Sequence, residues 1–112
     1  MNWTEINSVL VLQPENPDGD SVAAALALEE ILGDAKKDVT IYSYVHVPDY
    51  LRYIKGADRI TDEFPANFDL TIIVDTVTAS LLENTLKNEK LAAIKKHPVL
   101  VLDHHPTENN LP

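Results

Sequence analysis

Three short apolar runs, each leading into acidic residues, limit the folds open to this chain more than any other feature. Val99-Leu100-Val101-Leu102 follows Pro98 and runs straight into Asp103-His104-His105. Leu70-Thr71-Ile72-Ile73-Val74 ends on Asp75, and Val9-Leu10-Val11-Leu12 opens into a loop that carries Asp18 and Asp20. Uninterrupted apolar runs of this length read as strands buried on both faces, the pattern of parallel sheets. The run at 99–102 is therefore expected inside the sheet.

The segments between the runs supply the crossovers. Two prolines and a glycine in Gln13-Pro14-Glu15-Asn16-Pro17-Asp18-Gly19-Asp20 must end the first strand, at 6–12. Residues 21–32 are expected as a helix, with Ala23, Ala24, Ala25 and Ala27 as strong helix formers. Val22, Leu26, Leu28, Ile31 and Leu32 give that helix its apolar surface. Asp18, Asp20 or Ser21 is placed to cap its start, and Gly33 to stop it. Residues 39–45 alternate, with Val39, Ile41 and Val45 opposite Thr40, Tyr42 and Tyr44, as in a half-exposed strand toward a sheet edge. Pro48 suits the first turn of a short helix at 48–54. Residues 56–65 read as irregular, with a brief strand at Arg59-Ile60. A strand at 68–74, a short helix from 78 to 82, and a helix at 88–96 with Leu91, Ala92 and Ile94 inward complete the chain before the last run. Strand, helix, strand, strand, helix, strand predicts an α/β fold: one open, mostly parallel sheet with helices on both faces. Ligands in such sheets sit outside the carboxyl ends of the strands. There fall Asp18, Asp20, Asp75, Asp103, His104 and His105.

Charge narrows the chemistry. The 112 residues hold 18 acidic against 9 basic side chains, a formal charge of −9. That balance excludes a broad grip on duplex nucleic acid. Crowded carboxylates raise one another's pKa, and a divalent cation resolves the conflict. Carboxylate with imidazole and no cysteine points first to Mn²⁺, with Mg²⁺ or Zn²⁺ as alternatives. Two ions sharing a carboxylate would lie about 3.5–4 Å apart, the spacing of two-metal phosphoester hydrolysis by an activated water. The N-terminus of the 21–32 helix favours an anion at the same place. Simpler readings compete. Pro17-Asp18-Gly19-Asp20 taken alone is a turn and a helix cap. The alternate Asn16, Asp18 and Asp20 mimic a calcium loop, but Ser21 stands where that loop needs glycine and Ala27 where it needs glutamate. His46 and His97 are isolated and suit surface or packing roles. A phosphoacceptor domain would want lysine at the end of its last strand. Without disulfide chemistry, a membrane-length apolar run or a signal-like start, the expected address is the cytoplasm, with no membrane partner.

Taken together, the motifs resemble the DHH phosphoesterase superfamily. Its members include single-strand exonucleases, nanoRNases that also act on phosphoadenosine phosphate, cyclic-dinucleotide phosphodiesterases and family II pyrophosphatases. The first motif is Asn16-Pro17-Asp18-Gly19-Asp20-Ser21 before a small-residue helix; the second is Asp75 at a strand end; the third is Asp103-His104-His105. The Asn-Pro-Asp-Gly-Asp form is closest to the nanoRNase and cyclic-dinucleotide branch. The resemblance implies a Rossmann-like DHH domain, with 1–112 as its N-terminal portion and the C-terminal substrate-binding domain absent. It implies Asp18 on a first metal, Asp20 and His104 on a second, and Asp75 bridging both. His105 would contact the substrate phosphate or a water, and Asp103 would orient the histidines. It implies hydrolysis of phosphodiester or phosphomonoester bonds in short nucleotides or oligonucleotides. Pro14 stands where many members place a histidine ligand, with Gln13 and Glu15 beside it. The resemblance also calls for a further metal-binding aspartate well downstream of the third motif, which these 112 residues lack. The chain alone is therefore expected to be inactive or nearly so, and a homodimer formed through uncovered apolar surface is expected with it. The competing reading is a non-catalytic metal- or nucleotide-binding regulatory module with a degenerate site.

Overall fold

The computed structural model describes residues 2–15, 17–45, 47–74 and 88–102. Strands β1 (Ser8–Leu12), β2 (Asp38–Tyr42), β3 (Leu70–Val74) and β4 (Val99–Leu102) form one sheet in the order β2-β1-β3-β4, parallel at every pairing. Helix α1 (Gly19–Asp34) joins β1 to β2, and α2 (Asn88–Lys95) precedes β4. The two helices serve opposite faces. Val9, Val11, Leu70, Ile72 and Val74 pack with Ala25 and Leu32 of α1. Leu10, Leu12, Phe68 and Ile73 pack with Ile94 of α2. Alternation along β1 and β3 thus feeds two cores from one strand pair, which is why both are apolar at nearly every position, Ser8 at the start of β1 and the buried Thr71 of β3 excepted. The expected α/β fold, with a parallel sheet and helices on both faces, is the observed one.

A carboxylate pins the register where the central strands begin. Asp69 Oδ2 accepts the backbone N–H of Asn7 at 2.9 Å and of Ser8 at 3.1 Å, while Asp69 N–H donates to Ser8 O at 2.8 Å. The two N–H groups bonded to the ionised form, that of Asn7 foremost, hold the Asp69 carboxyl below its ordinary value. A depressed folded-state pKa contributes stability that is fully present above the unfolded value of about 3.9 and lost as pH falls through the folded one. Thermal unfolding of Asp69→Asn from pH 7 down to pH 3 should show its deficit against the parent shrinking below about pH 4. A deficit constant across that range would remove the assigned role.

Several local expectations are corrected. Among the described residues the 99–102 run is not interior: β4 pairs there with β3 alone, and its four side chains are between 41% and 58% exposed. An apolar run reports that a strand seeks cover, not which slot in the sheet it takes. The helix expected at 21–32 spans Gly19–Asp34, and Ile31 points outward. Gly33 does not stop it. Lys36 does, in the left-handed region at φ 67°, with Lys36 N–H donating to Gly33 O and Lys37 N–H to Leu32 O. The strand expected at 39–45 ends at Tyr42, where a single bridge to Thr61 closes its outer edge: Thr61 N–H donates to Ile41 O and Ser43 N–H donates to Thr61 O, both at 2.9 Å. Its place at the edge of the sheet holds, but Tyr42, expected on the exposed face with Thr40 and Tyr44, is buried with Leu10, Leu12 and Phe68, because the second core extends over the end of β2. The 48–54 helix is a single 3-10 turn, Asp49–Leu51, and Arg59 lies in another, Ala57–Arg59, rather than in a strand. On α2, Ala93 rather than Ala92 turns inward beside Ile94. His97 packs edge-on against Phe68, with ring centroids 5.6 Å apart. The 78–82 helix and His46 lie outside the described residues. No helix among the described residues is long and apolar enough to cross a membrane.

Candidate functional site

The strand order creates a crevice. From β1 the chain passes through α1 to β2 on one side, then returns across the sheet to β3 on the other side of β1. The connections therefore diverge from the carboxyl ends of β1 and β3, the topological switch point at which open α/β sheets take ligands. The register makes Leu12 the partner of both Tyr42 and Ile73, and Val74 the partner of Leu102. Asp75 and Asp103 are the residues next in sequence after that last pair.

The loop between β1 and α1 is built on buried anchors. Gln13, Pro14 and Pro17 are buried, Glu15 is half-buried, and Asp18 and Asp20 are exposed. Asp18 is the N-cap of α1 in a capping box: its Oδ1 accepts Ser21 N–H at 2.8 Å, and Ser21 Oγ accepts Asp18 N–H at 2.9 Å. The turn-and-cap reading of this segment is thus correct, and it leaves the second carboxylate oxygen of Asp18 and both of Asp20 for other partners. Of the six expected site residues, the structure describes these two. Asp75, Asp103, His104 and His105 lie outside the described residues. Among the described residues, no three His, Cys, Asp or Glu side chains are grouped to hold a metal.

Gln13 was passed over as a mere flank of Pro14, yet it is the most constrained polar side chain of the loop. It is 1% exposed. Its backbone N–H donates to Tyr42 O at 3.0 Å, and its Nε2 donates to Ser21 O at 3.0 Å. Its Oε1 is buried without a hydrogen-bond partner among the described residues. An orphaned buried acceptor costs about 1–3 kcal/mol. The sequence signal was a lone polar residue directly after a fully apolar strand, at the strand end facing the crevice. The segment thus carries two exposed carboxylates and an orphaned amide oxygen, oxygen donors of the kind that suits a hard divalent cation such as Mg²⁺ or Mn²⁺.

A cavity of about 210 Å³ lies beyond the outer edge of β2, lined in part by Ser43, Arg52, Asp58, Thr61 and Asp62. It contains none of the expected site residues. Nearer the crevice, Lys90 Nζ stands 5.0 Å from the ring centre of half-exposed Tyr44 and 5.4 Å from that of buried Tyr42.

Comparison with known proteins follows the same lines. The sequence matches the family model described as "DHH family, N-terminal domain" over residues 8–112. A search of curated proteins finds no match. Among solved structures, the fold is similar to an exopolyphosphatase-related protein from Bacteroides fragilis, with a TM-score of 0.78 and 19% identity. The alignment covers 96% of this chain and 34% of that one, so the chain spans about a third of its neighbour's length. At that identity the likeness establishes the fold.

Proposed function

Because the chain belongs to the DHH family, whose N-terminal domain it matches over nearly its full length, we propose that it is the metal-binding portion of a phosphoester hydrolase acting on short nucleotides. One observation carries the reading. The switch point joins the Asp18–Asp20 turn and the N-terminus of α1 to the strand ends that precede Asp75 and Asp103-His104-His105. In this proposal Asp18 holds a first divalent cation, Asp20 and His104 a second, and Asp75 bridges them. His105 contacts the substrate phosphate, and Asp103 orients the two histidines. Mn²⁺ is the proposed ion, with Mg²⁺ or Zn²⁺ as alternatives. Such cations, when bound, supply Lewis acidity and an acidified water for attack on phosphorus. The protein's own part is to orient the carboxylates and to offer the positive end of α1 to the phosphate. Tyr44 and Lys90 support a nucleotide over inorganic phosphate chains, since a ring face takes a base and an ammonium its phosphate. The portion that recognises the substrate is proposed to lie in further chain, so this segment alone should hydrolyse little.

The test is Mn²⁺ binding, read by electron paramagnetic resonance and by anomalous diffraction from Mn²⁺-soaked crystals. Anomalous density should appear between Asp20, Asp75 and His104. Asp75→Asn should weaken binding far more than His97→Gln, since His97 is a packing residue against Phe68. Equal losses would remove the bridging role of Asp75, and vigorous Mn²⁺-dependent hydrolysis of a dinucleotide by these 112 residues would overturn the division of labour.

A further inference from the structure

We infer that Gln13 is a positioning residue of the cation site, fastening the Asp18 turn with its amide nitrogen and presenting its amide oxygen to the hydrated cation. This rests on the metal-binding reading above and adds a residue to it. The orientation of the amide is fixed by chemistry. Ser21 O can only accept, so the end of the Gln13 amide that faces it at 3.0 Å must be the nitrogen. The oxygen is then left buried and unpartnered, at the carboxyl end of β1. A residue needed only to fill space at this point would be apolar, as are the four before it in β1. A residue needed only to donate to Ser21 O would not require an acceptor beside the donor. Gln13 is also two hydrogen bonds from the Asp18 carboxylate, through Ser21 O on one side and Ser21 N–H on the other. Any movement of its amide is transmitted to the turn that aims Asp18. The other buried orphan, Thr71 Oγ1, lies inside β3 opposite Leu10, away from the strand ends. Gln13 alone of the two is at the switch point.

The experiment is a Mn²⁺ titration, followed by paramagnetic resonance and by thermal unfolding with and without Mn²⁺, of the parent chain, Gln13→Met, Gln13→Glu and Asp20→Asn. Methionine keeps the length of the side chain and removes both polar atoms. It should raise the Mn²⁺ Kd by about 10–100-fold, the usual effect of losing a group that orients metal ligands, and erase the Mn²⁺-dependent rise in Tm. Glutamate keeps an oxygen at the position and adds charge. Its metal-free Tm should fall, and its Mn²⁺-dependent rise should exceed the parent's. A packing role moves Tm equally with and without Mn²⁺ and leaves Kd alone, and that result in Gln13→Met overturns the inference. Should Gln13→Met fail to fold, a glutamate variant whose Mn²⁺-dependent rise is no larger than the parent's overturns it as well. Binding lost in Asp20→Asn but intact in Gln13→Met rejects the role of Gln13 and keeps the metal site. No binding by the parent chain rejects both.

Discussion

Asp18→Ala and Asp18→Asn should part company, one losing stability and metal binding, the other metal binding alone. Asp18 does two jobs through different properties. As the N-cap of α1 it needs only an acceptor oxygen aimed at Ser21 N–H, which it engages at 2.8 Å. Asparagine supplies that oxygen, and the two residues rank together as caps. Alanine supplies none, and loss of the cap should cost about 0.5–2 kcal/mol. As a proposed metal ligand, Asp18 needs its negative charge and its second oxygen. Both substitutions remove the charge, so both should weaken Mn²⁺ binding by at least the roughly 10–100-fold typical of groups that merely orient ligands. Urea unfolding of the metal-free proteins reads the first property, and a Mn²⁺ titration the second. If Asp18→Asn binds Mn²⁺ as the parent does, Asp18 is a cap and nothing more.

The second large effect is in the core. Leu10→Ala should cost about 2–5 kcal/mol, because the side chain is fully buried among Leu12, Tyr42, Phe68, Ile73 and Ile94 and cannot be replaced by collapse around it. Against a total stability of about 5–15 kcal/mol for a domain, that is enough to leave much of the population unfolded near body temperature. The same truncation at Leu100 should cost about 0.5 kcal/mol or less, since its side chain is 41% exposed on the β4 edge. Both leucines sit in Val-Leu-Val-Leu runs, so residue composition alone assigns them equal weight. Urea midpoints that shift equally for the two would contradict the edge position of β4.

That pair shows what could and could not be read in advance. The central strands were legible because, Thr71 apart, β1 and β3 are apolar at the positions that face the two helix layers. The edge place of β2 was legible in its polar positions, though not the burial of Tyr42, and the cap of α1 was narrowed to Asp18, Asp20 or Ser21, of which the structure takes Asp18. The slot of β4 was not, because β1 and β4 carry the same sequence, Val-Leu-Val-Leu, and strand order depends on pairing across the whole chain. The end of α1 was not, because Gly33 was the conspicuous breaker while Lys36 took the left-handed turn at a steric cost that the two closing hydrogen bonds offset. Gln13 was missed because burial of a glutamine is set by the loop that folds over it. For the candidate site, the sequence reading put both carboxylates of the first motif in the loop after β1; the structure has Asp18 there as the helix cap and Asp20 in the first turn of α1. Asp75, Asp103, His104 and His105 lie outside the described residues, and their roles are proposals.

The Asp69 clamp has a consequence for the far end of the sheet. In a parallel pair, sliding one strand by a single residue exchanges its two faces. Such a slip of β1 against β3 would send Leu10 and Leu12 toward α1, and Gln13 away from the helix turn that it now fastens. One carboxylate, bonded across 62 residues of chain at the strand starts, therefore chooses which side chains emerge at the strand ends. Removing that charge, as Asp69→Asn does, would act at a distance, loosening the indexing of the sheet without altering any group in the crevice itself.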